Sequence, residues 1–415
     1  SPISSRGNTI TIRKFAEKPW SVIDLIKTNT INYQGASLIW LGIQNEFSMI
    51  IAGGTGSGKT SFLNAISNYF PPNHRIISIE DTRELTLPDS LHWVPMETRL
   101  PNPEGKGEVS MLDLVVNSLR QRPDRILVGE IRRKKEAEVL FEAMHTGHSV
   151  YGTLHANNVV ETYDRLTNPP IELPKKVLSA IGMIVVQNRN RRTGYRRTFQ
   201  IAEMKDDGNP NLIYQHNVKN DSLMSANAIK KVYDTLELYT GMTQKEVEQD
   251  IKEKTEILKW LHKKDVNDVH RIGKIMAHYY HKKSVYAKKE ERKKKEEQEN
   301  EKKIKENVPI PTALKDFKPT KPSSSQMKGP FGLGTTKRTS LDDLGSREQN
   351  PFIASSSSAR ARKPEERQQY KEALGKTLLE DNDPQNIDDG NTDTKNNSNQ
   401  KDSAKEKSPE RNENQ

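Results

Sequence analysis

The chain contains no cysteine, which excludes disulfides, thiolate metal sites and cysteine nucleophiles together. With no secretory n-region and h-region ahead of the body, that absence favours a cytoplasmic location. Long apolar runs are missing too. Stretches such as Met183 to Val186 fall far short of the roughly 20 residues a membrane-spanning helix needs. Apolar residues are scarce overall, 32% against 29% charged, with a mean hydropathy of −0.87. The scarcity is uneven: 108 apolar residues, about 39%, fall in 1–280, and 26, about 19%, in 281–415. The first part can bury a core; the second cannot offset the entropy of ordering itself. An excess of basic charge is likewise missing from the body. Of the net charge of +10, half comes from 281–305, with 11 basic and 6 acidic residues, which weakens a nucleic-acid function.

What is present is an alternation. Between 48 and 205, β-rich runs (Ser48–Ala52, Arg75–Ile79, Arg125–Val128, Val150–Leu154, Ile184–Gln187, Thr198–Ile201) alternate with helical ones (Thr60–Tyr69, Met111–Arg120, Glu136–His145, Val159–Leu166, Pro174–Ile181). This order predicts an α/β fold with a parallel sheet and helices on its faces. Residues 1–45 read as the end of one unit and a linker, with a short helix at Ser21–Lys27. The start at Ser1, with Ile10, Ile12 and Phe15 patterned like a strand cut off from its partners, leads us to expect a piece upstream. Residues 206–285 turn mainly helical: Ile272, Ile275, Met276 and Tyr279 share one face, as do Val247, Ile251, Leu258 and Leu261. From 286 the chain reads as a charged tail. Acid–base pairs four apart, Glu290–Lys294 and Glu301–Lys305 among them, support a solvated helix over 288–305, and beyond Pro309 the composition reads as disorder.

Gly53-Gly54-Thr55-Gly56-Ser57-Gly58-Lys59-Thr60 fits the phosphate loop G-x-x-x-x-G-K-[ST], entered from a strand and left by a helix. Glycines let backbone N–H groups curl inward around phosphate oxygens. Lys59 would reach the β- and γ-phosphates of ATP, and the Thr60 hydroxyl would hold Mg²⁺; Ser61 completes the cradle. Glu130 ends the strand Ile126-Leu127-Val128, where open α/β sheets bind ligands; it is a candidate for the Mg²⁺ shell or for polarising water. Gly129 stands where the usual motif has aspartate. Glu80, in Ile79-Glu80-Asp81-Thr82-Arg83-Glu84, is a candidate to orient or deprotonate the attacking water. His145, His148 and His155 lack a fourth partner for a metal site, and His155 at a strand end fits a γ-phosphate sensor better. Arg120, Arg122 and Arg125, with Arg83 and Arg99, are candidates to reach into a neighbour's site.

Together these segments resemble the type II/type IV secretion ATPase superfamily. Its boxes stand in family order: the Walker A loop Gly53–Thr60, the Asp box Ile79–Glu84, an atypical Walker B Ile126–Arg132 with Gly129, and a His box from Thr146-Gly147-His148 through Thr153-Leu154-His155-Ala156-Asn157. Ile12-Arg13-Lys14-Phe15, Glu80–Glu84 and the Arg196-Arg197…Ile201-Ala202-Glu203 ending are most similar to the archaeal branch. The resemblance implies a RecA-like P-loop ATPase domain at 46–205 in a homo-hexameric ring, with ATP bound between subunits. It makes Glu80 the catalytic base, Glu130 the Mg²⁺-side carboxylate, and His148 and His155 nucleotide sensors. Arg83 joins Glu80, Glu130, Lys59 and His155 in the catalytic set, and Arg120 and Arg122 are arginine-finger candidates. It also implies peripheral attachment at the inner face of the cell membrane, a polytopic platform protein and pilin-like subunits as partners, and a filament or secretion motor as function. Two departures stand out: the family's N-terminal domain is almost wholly absent, which allows a separate N-terminal half, and Arg133 replaces a small or acidic residue. A conjugation-type DNA- or protein-transfer ATPase and a non-hydrolysing nucleotide-binding scaffold are the alternatives.

Overall fold

The computed structural model describes Gly7, Ile10, Ile12, Lys14 and residues 18–306. Phe15, the tail beyond Pro309 and the disorder expected there lie outside the described residues. Ile10 and Ile12 are exposed and belong to no strand.

The first helix, α1 (Val22–Lys27), begins at a capping box in which Ser21 and Asp24 satisfy each other's backbone N–H. Next, α2 (Tyr33–Gln44) is capped by Asn32 and buries every residue from Gly35 to Ile43. A helix apolar on all sides has no period to read, which is why the sequence presents this segment as a linker.

The chain then enters β1 (Met49–Gly53), passes the phosphate loop into α3 (Lys59–Ile66) and continues through β2 (Arg75–Glu80), β3 (His92–Glu97), α4 (Met111–Ser118), β4 (Arg125–Val128), α5 (Lys134–His145), β5 (Ser149–Leu154) and α6 (Val159–Thr167). Four strands follow, β6 (Met183–Arg189), β7 (Arg196–Met204), β8 (Pro210–Asn217) and β9 (Ser222–Ser225), then the helices α7 (Lys231–Thr240), α8 (Gln244–Lys263) and α9 (Val269–Glu306). Among the described residues the strands form one sheet, ordered β3-β2-β4-β5-β1-β6-β7-β8-β9. Pairing is parallel from β3 to β6 and antiparallel from β6 to β9. The fold is thus α/β with a mixed sheet. The strand β3 has no counterpart in the sequence reading: it is an edge strand, half-exposed and interrupted by Pro95. The helix expected at Pro174–Ile181 is a 3₁₀ segment, Lys175–Ala180.

The parallel half is buried on both faces. Met49–Gly53, Arg125–Val128 and Ser149–Leu154 are fully buried along their lengths, the near-continuous pattern of a covered parallel sheet. The C-terminal helices close over α2. Ser37 bonds Thr255 of α8 at 2.8 Å, the Trp40 indole stacks on Tyr69 at 5.1 Å, and its N–H donates to the Tyr280 hydroxyl of α9 at 2.9 Å. Residues read as remnant and linker therefore pack jointly with residues read as the helical extension. Helix α9 runs on to Glu306, so the charged run over 288–305 is helical.

Candidate active site

Parallel strands deliver their C-terminal ends to one edge of a sheet. Across the order β2-β4-β5-β1-β6 that edge carries Glu80, then Gly129-Glu130, then His155, then the phosphate loop, then Arg189. At about 4.8 Å per strand the row spans roughly 19 Å. Lys59 and His155, 96 positions apart in the chain, become neighbours by topology alone.

The loop at its centre is shaped by glycine. A Cβ on Gly53 would lie 2.3 Å from Ser57 Oγ and 2.5 Å from the Gln187 carbonyl, and Gly58 takes φ +95° as the N-cap of α3. Most other α-helices in the chain start at a side-chain cap (Ser21, Asn32, Ser110, Asn158, Thr243); Gly58 supplies none. The first N–H groups of α3 are therefore left for an anion. Lys59 is buried and donates to the carbonyls of Gly53 (3.0 Å) and Gly54 (3.3 Å), with His155 Nε2 3.4 Å away. Burial lowers its pKa, while Glu130 and Glu84 oppose the shift. Thr55, Gly56 and Ser61 are exposed, Thr60 is half-buried, and Ser57 Oγ is buried with no hydrogen-bond partner.

On the β5 side a chain of charges leads outward. His155 Nε2 lies 3.3 Å from Glu130 Oε1, Arg132 meets Glu130 Oε2 at 2.6 Å, and the same guanidinium reaches Asp81 at 2.5 Å. Burial and the Lys59 ammonium lower the His155 pKa against the pull of Glu130, which favours the neutral imidazole. Glu80 is 3% exposed. Its Oε1 accepts the N–H groups of Glu84 (2.9 Å) and Leu85 (3.1 Å), and Oε2 is buried without a partner. Burial raises its pKa despite those two donors. A Cβ on Gly129 would lie at ordinary contact distance from Glu80, 3.4 Å from its Cα and 3.5 Å from its Cγ, so an aspartate here would place a second carboxylate beside Glu80.

Other sequence candidates lie elsewhere. His148 precedes β5 whereas His155 follows it, which separates them by roughly 20 Å; its Nδ1 sits 3.3 Å from the Ala143 carbonyl at the end of α5. Within one chain His148 does not join the phosphate loop. Arg120 and Arg122 are exposed near the start of β4, at the opposite edge of the sheet. Arg125 is wholly buried: it donates to His74 Nδ1 (3.1 Å) and the Ile43 carbonyl (2.7 Å) and packs over Phe70. Burial, with Arg125 beside it, drives the His74 pKa down to about 3, so the ring accepts that bond. A residue so enclosed cannot project into a neighbour's site. Arg83 lies over the Trp93 ring at 4.8 Å, and Arg99 donates to the Gly107 carbonyl at 2.6 Å. The sequence reading missed Arg189 and Arg196 beside the loop; five arginines between 189 and 197 were the available signal.

A phosphate loop at the centre of a mixed sheet, with carboxylates on the neighbouring strand ends, defines a P-loop nucleotide-binding protein. The chain belongs to the family described as "Type II/IV secretion system protein", whose model matches residues 1–306. It is 40% identical over 205 residues to an uncharacterised protein of Methanocaldococcus jannaschii, covering 49% of this chain and 37% of that one. A second uncharacterised protein of the same organism is 33% identical over 267 residues, covering 62% of this chain and 98% of the other. The chain thus spans about a third of the first relative and nearly all of the second. Among solved structures it is similar to the VirB11 ATPase of the Brucella suis type IV secretion system, with 23% identity, coverage of 46% and 65% and a TM-score of 0.35. Among the described residues no helix is long and apolar enough to cross a membrane.

Proposed function

We propose that this chain is an ATP-hydrolysing motor subunit that drives assembly of a type IV pilus-like or archaellum-like filament, or type II-like secretion, from the cytoplasmic face of the membrane. The observation that carries the reading is the row of strand ends: a glycine-shaped phosphate loop flanked by His155, Glu130 and a buried Glu80 whose Oε2 lacks a partner.

ATP and Mg²⁺ fit these residues. Ser57 Oγ and Glu80 Oε2 are buried polar atoms that lack partners, and the glycine cradle has no room for a side chain at Gly53. Thr60 and Glu130 would hold the ion, which supplies charge neutralisation on the β- and γ-phosphates. Lys59 leaves the Gly53 and Gly54 carbonyls and pairs with those phosphates. Glu80, anchored by the N–H groups of Glu84 and Leu85, aligns the attacking water through Oε2 and takes its proton. Its raised pKa suits a base that works near neutral pH. His155, between Lys59 and Glu130, would sense the departure of Lys59 toward the phosphates. The homo-hexamer, the platform protein, the pilin-like subunits and a separate N-terminal half belong to this proposal, and Arg83, Arg120 and Arg122 are its candidates to act on a neighbour.

The test is calorimetric titration with ATP beside single-turnover hydrolysis. Lys59→Ala is expected to abolish binding, and Glu130→Gln to retain binding while removing most turnover. Hydrolysis that survives either change contradicts the site; binding without turnover in the wild type, even with an N-terminal half supplied, supports the scaffold alternative. DNA-stimulated hydrolysis would favour the transfer ATPase.

A further inference from the structure

The hairpin formed by β6 and β7 carries Arg189, Arg191, Arg192, Arg196 and Arg197, with no acidic residue between Gln187 and Glu203. Strand β6 is the parallel neighbour of β1, with Gln187 level with Gly53. It runs two residues further, about 7 Å, and so carries Arg189 alongside the phosphate loop. Arg189 and Arg196 are directly opposite in the antiparallel register, which puts both side chains on the same face. That face meets the loop. Arg196 Nε donates to the Gly56 carbonyl at 3.1 Å, a Cβ on Gly56 would lie 3.1 Å from Arg189 Nη1, and one on Gly58 would lie 3.2 Å from Arg196 Cδ.

Like charges directly opposite on a sheet repel, and these two gain no carboxylate among the described residues. Arg197, one step along on the other face, shows the contrast: it is engaged by Asp221 at 2.6 Å. Two guanidinium groups held together against the phosphate loop, without a carboxylate, are unfavourable until a polyanion arrives. The geometry points to Arg189 and Arg196 as a second cationic arm of the nucleotide site, supplied by the same chain. Arg189 contributes its guanidinium to the β-phosphate at the crown of the loop, and Arg196 is a positioning residue that fixes the crown through the Gly56 carbonyl. This rests on the nucleotide-binding reading above and extends it to the side of the loop remote from Glu130.

The experiment is calorimetric titration of the full chain with ATP, ADP and AMP, for wild type, Arg189→Ala, Arg189→Lys, Arg196→Ala and Arg191→Ala, with unfolding midpoints alongside. A charge-assisted bond predicts that Arg189→Ala weakens ATP and ADP by about tenfold or more and leaves AMP unchanged. Arg189→Lys recovers part of the loss, Arg196→Ala loses several-fold, about 3 to 5, and Arg191→Ala, at the hairpin tip, binds as wild type. Wild-type affinity in Arg189→Ala, equal losses for ATP and AMP, or an equal loss in Arg191→Ala would overturn the inference. If Lys59→Ala abolishes ATP binding while Arg189→Ala is silent, only this inference fails; a wild-type chain that binds no ATP overturns both readings.

Discussion

The two flanks of the phosphate loop differ in chemistry and in how they are held. On the β5 side lie Glu80, Glu130 and His155, and every polar contact there is internal: backbone donors to Glu80, Arg132 on Glu130, Glu130 on His155. On the β6 side lie Arg189 and Arg196, exposed and facing the loop with no acidic partner among the described residues. In the proposed function the first flank would serve chemistry at the γ-phosphate, and the second would supply positive charge to the phosphate chain. Acids placed beside a polyanion would repel it, so the arrangement works only if the acids serve water and metal while cations serve phosphate.

That division can be broken at graded cost. The largest effect is expected on the acidic flank, where Glu80→Gln keeps shape and backbone bonds but removes the base. Turnover should fall by about 10² to 10⁴ with ATP affinity retained, as read by single-turnover hydrolysis beside calorimetry; an equal loss of affinity would place Glu80 among the binding groups. Next comes Gly129→Asp, which sets a second carboxylate against Glu80. Like charge raises the Glu80 pKa further, and each unit above the working pH costs about tenfold in active base. Turnover at neutral pH should fall and recover on alkalinisation, whereas a pH-independent loss would mean distortion instead.

The wild-type acid limb is a smaller effect of the same kind. As the proposed base, Glu80 would act ionised, and burial raises its pKa, so turnover should decline on acidification at a pH above the ordinary carboxyl value of 4.5; a limb at or below that value contradicts the assignment. Smallest is Arg132→Ala. The Arg132 pairs with Glu130 and Asp81 are short, but its side chain is 56% exposed, and such pairs contribute about 0–1 kcal/mol. Thermal unfolding should shift little, and a large drop would show that the outward chain of charges holds the fold together.

The acidic flank was legible in the sequence because each of its residues follows an apolar run and stands in an ordered set of motifs. Glu80, Glu130 and His155 each stand inside a motif and at, or just past, the C-terminal end of a strand. The arginine flank was not, because Arg189 and Arg196 gain meaning only from the register that sets β6 beside β1. Helix α2 escaped for the opposite reason: burial on all sides erased its periodicity. Strand β3, with Pro95 at the sheet's edge, lacked a strand signature. His148 and Arg125 show the limit of motif reading, since spacing alone does not say which end of a strand, or which side of the surface, a residue occupies.

The central claim is that the loop at Gly53–Thr60 binds the phosphates of ATP. The most direct measurement is calorimetric titration of the full chain with ATP and Mg²⁺, wild type against Lys59→Ala. The account predicts one ATP per chain for the wild type and a loss of at least about a hundredfold in the variant, the scale of a buried charge-assisted contact. Equal affinity in the two proteins would contradict it.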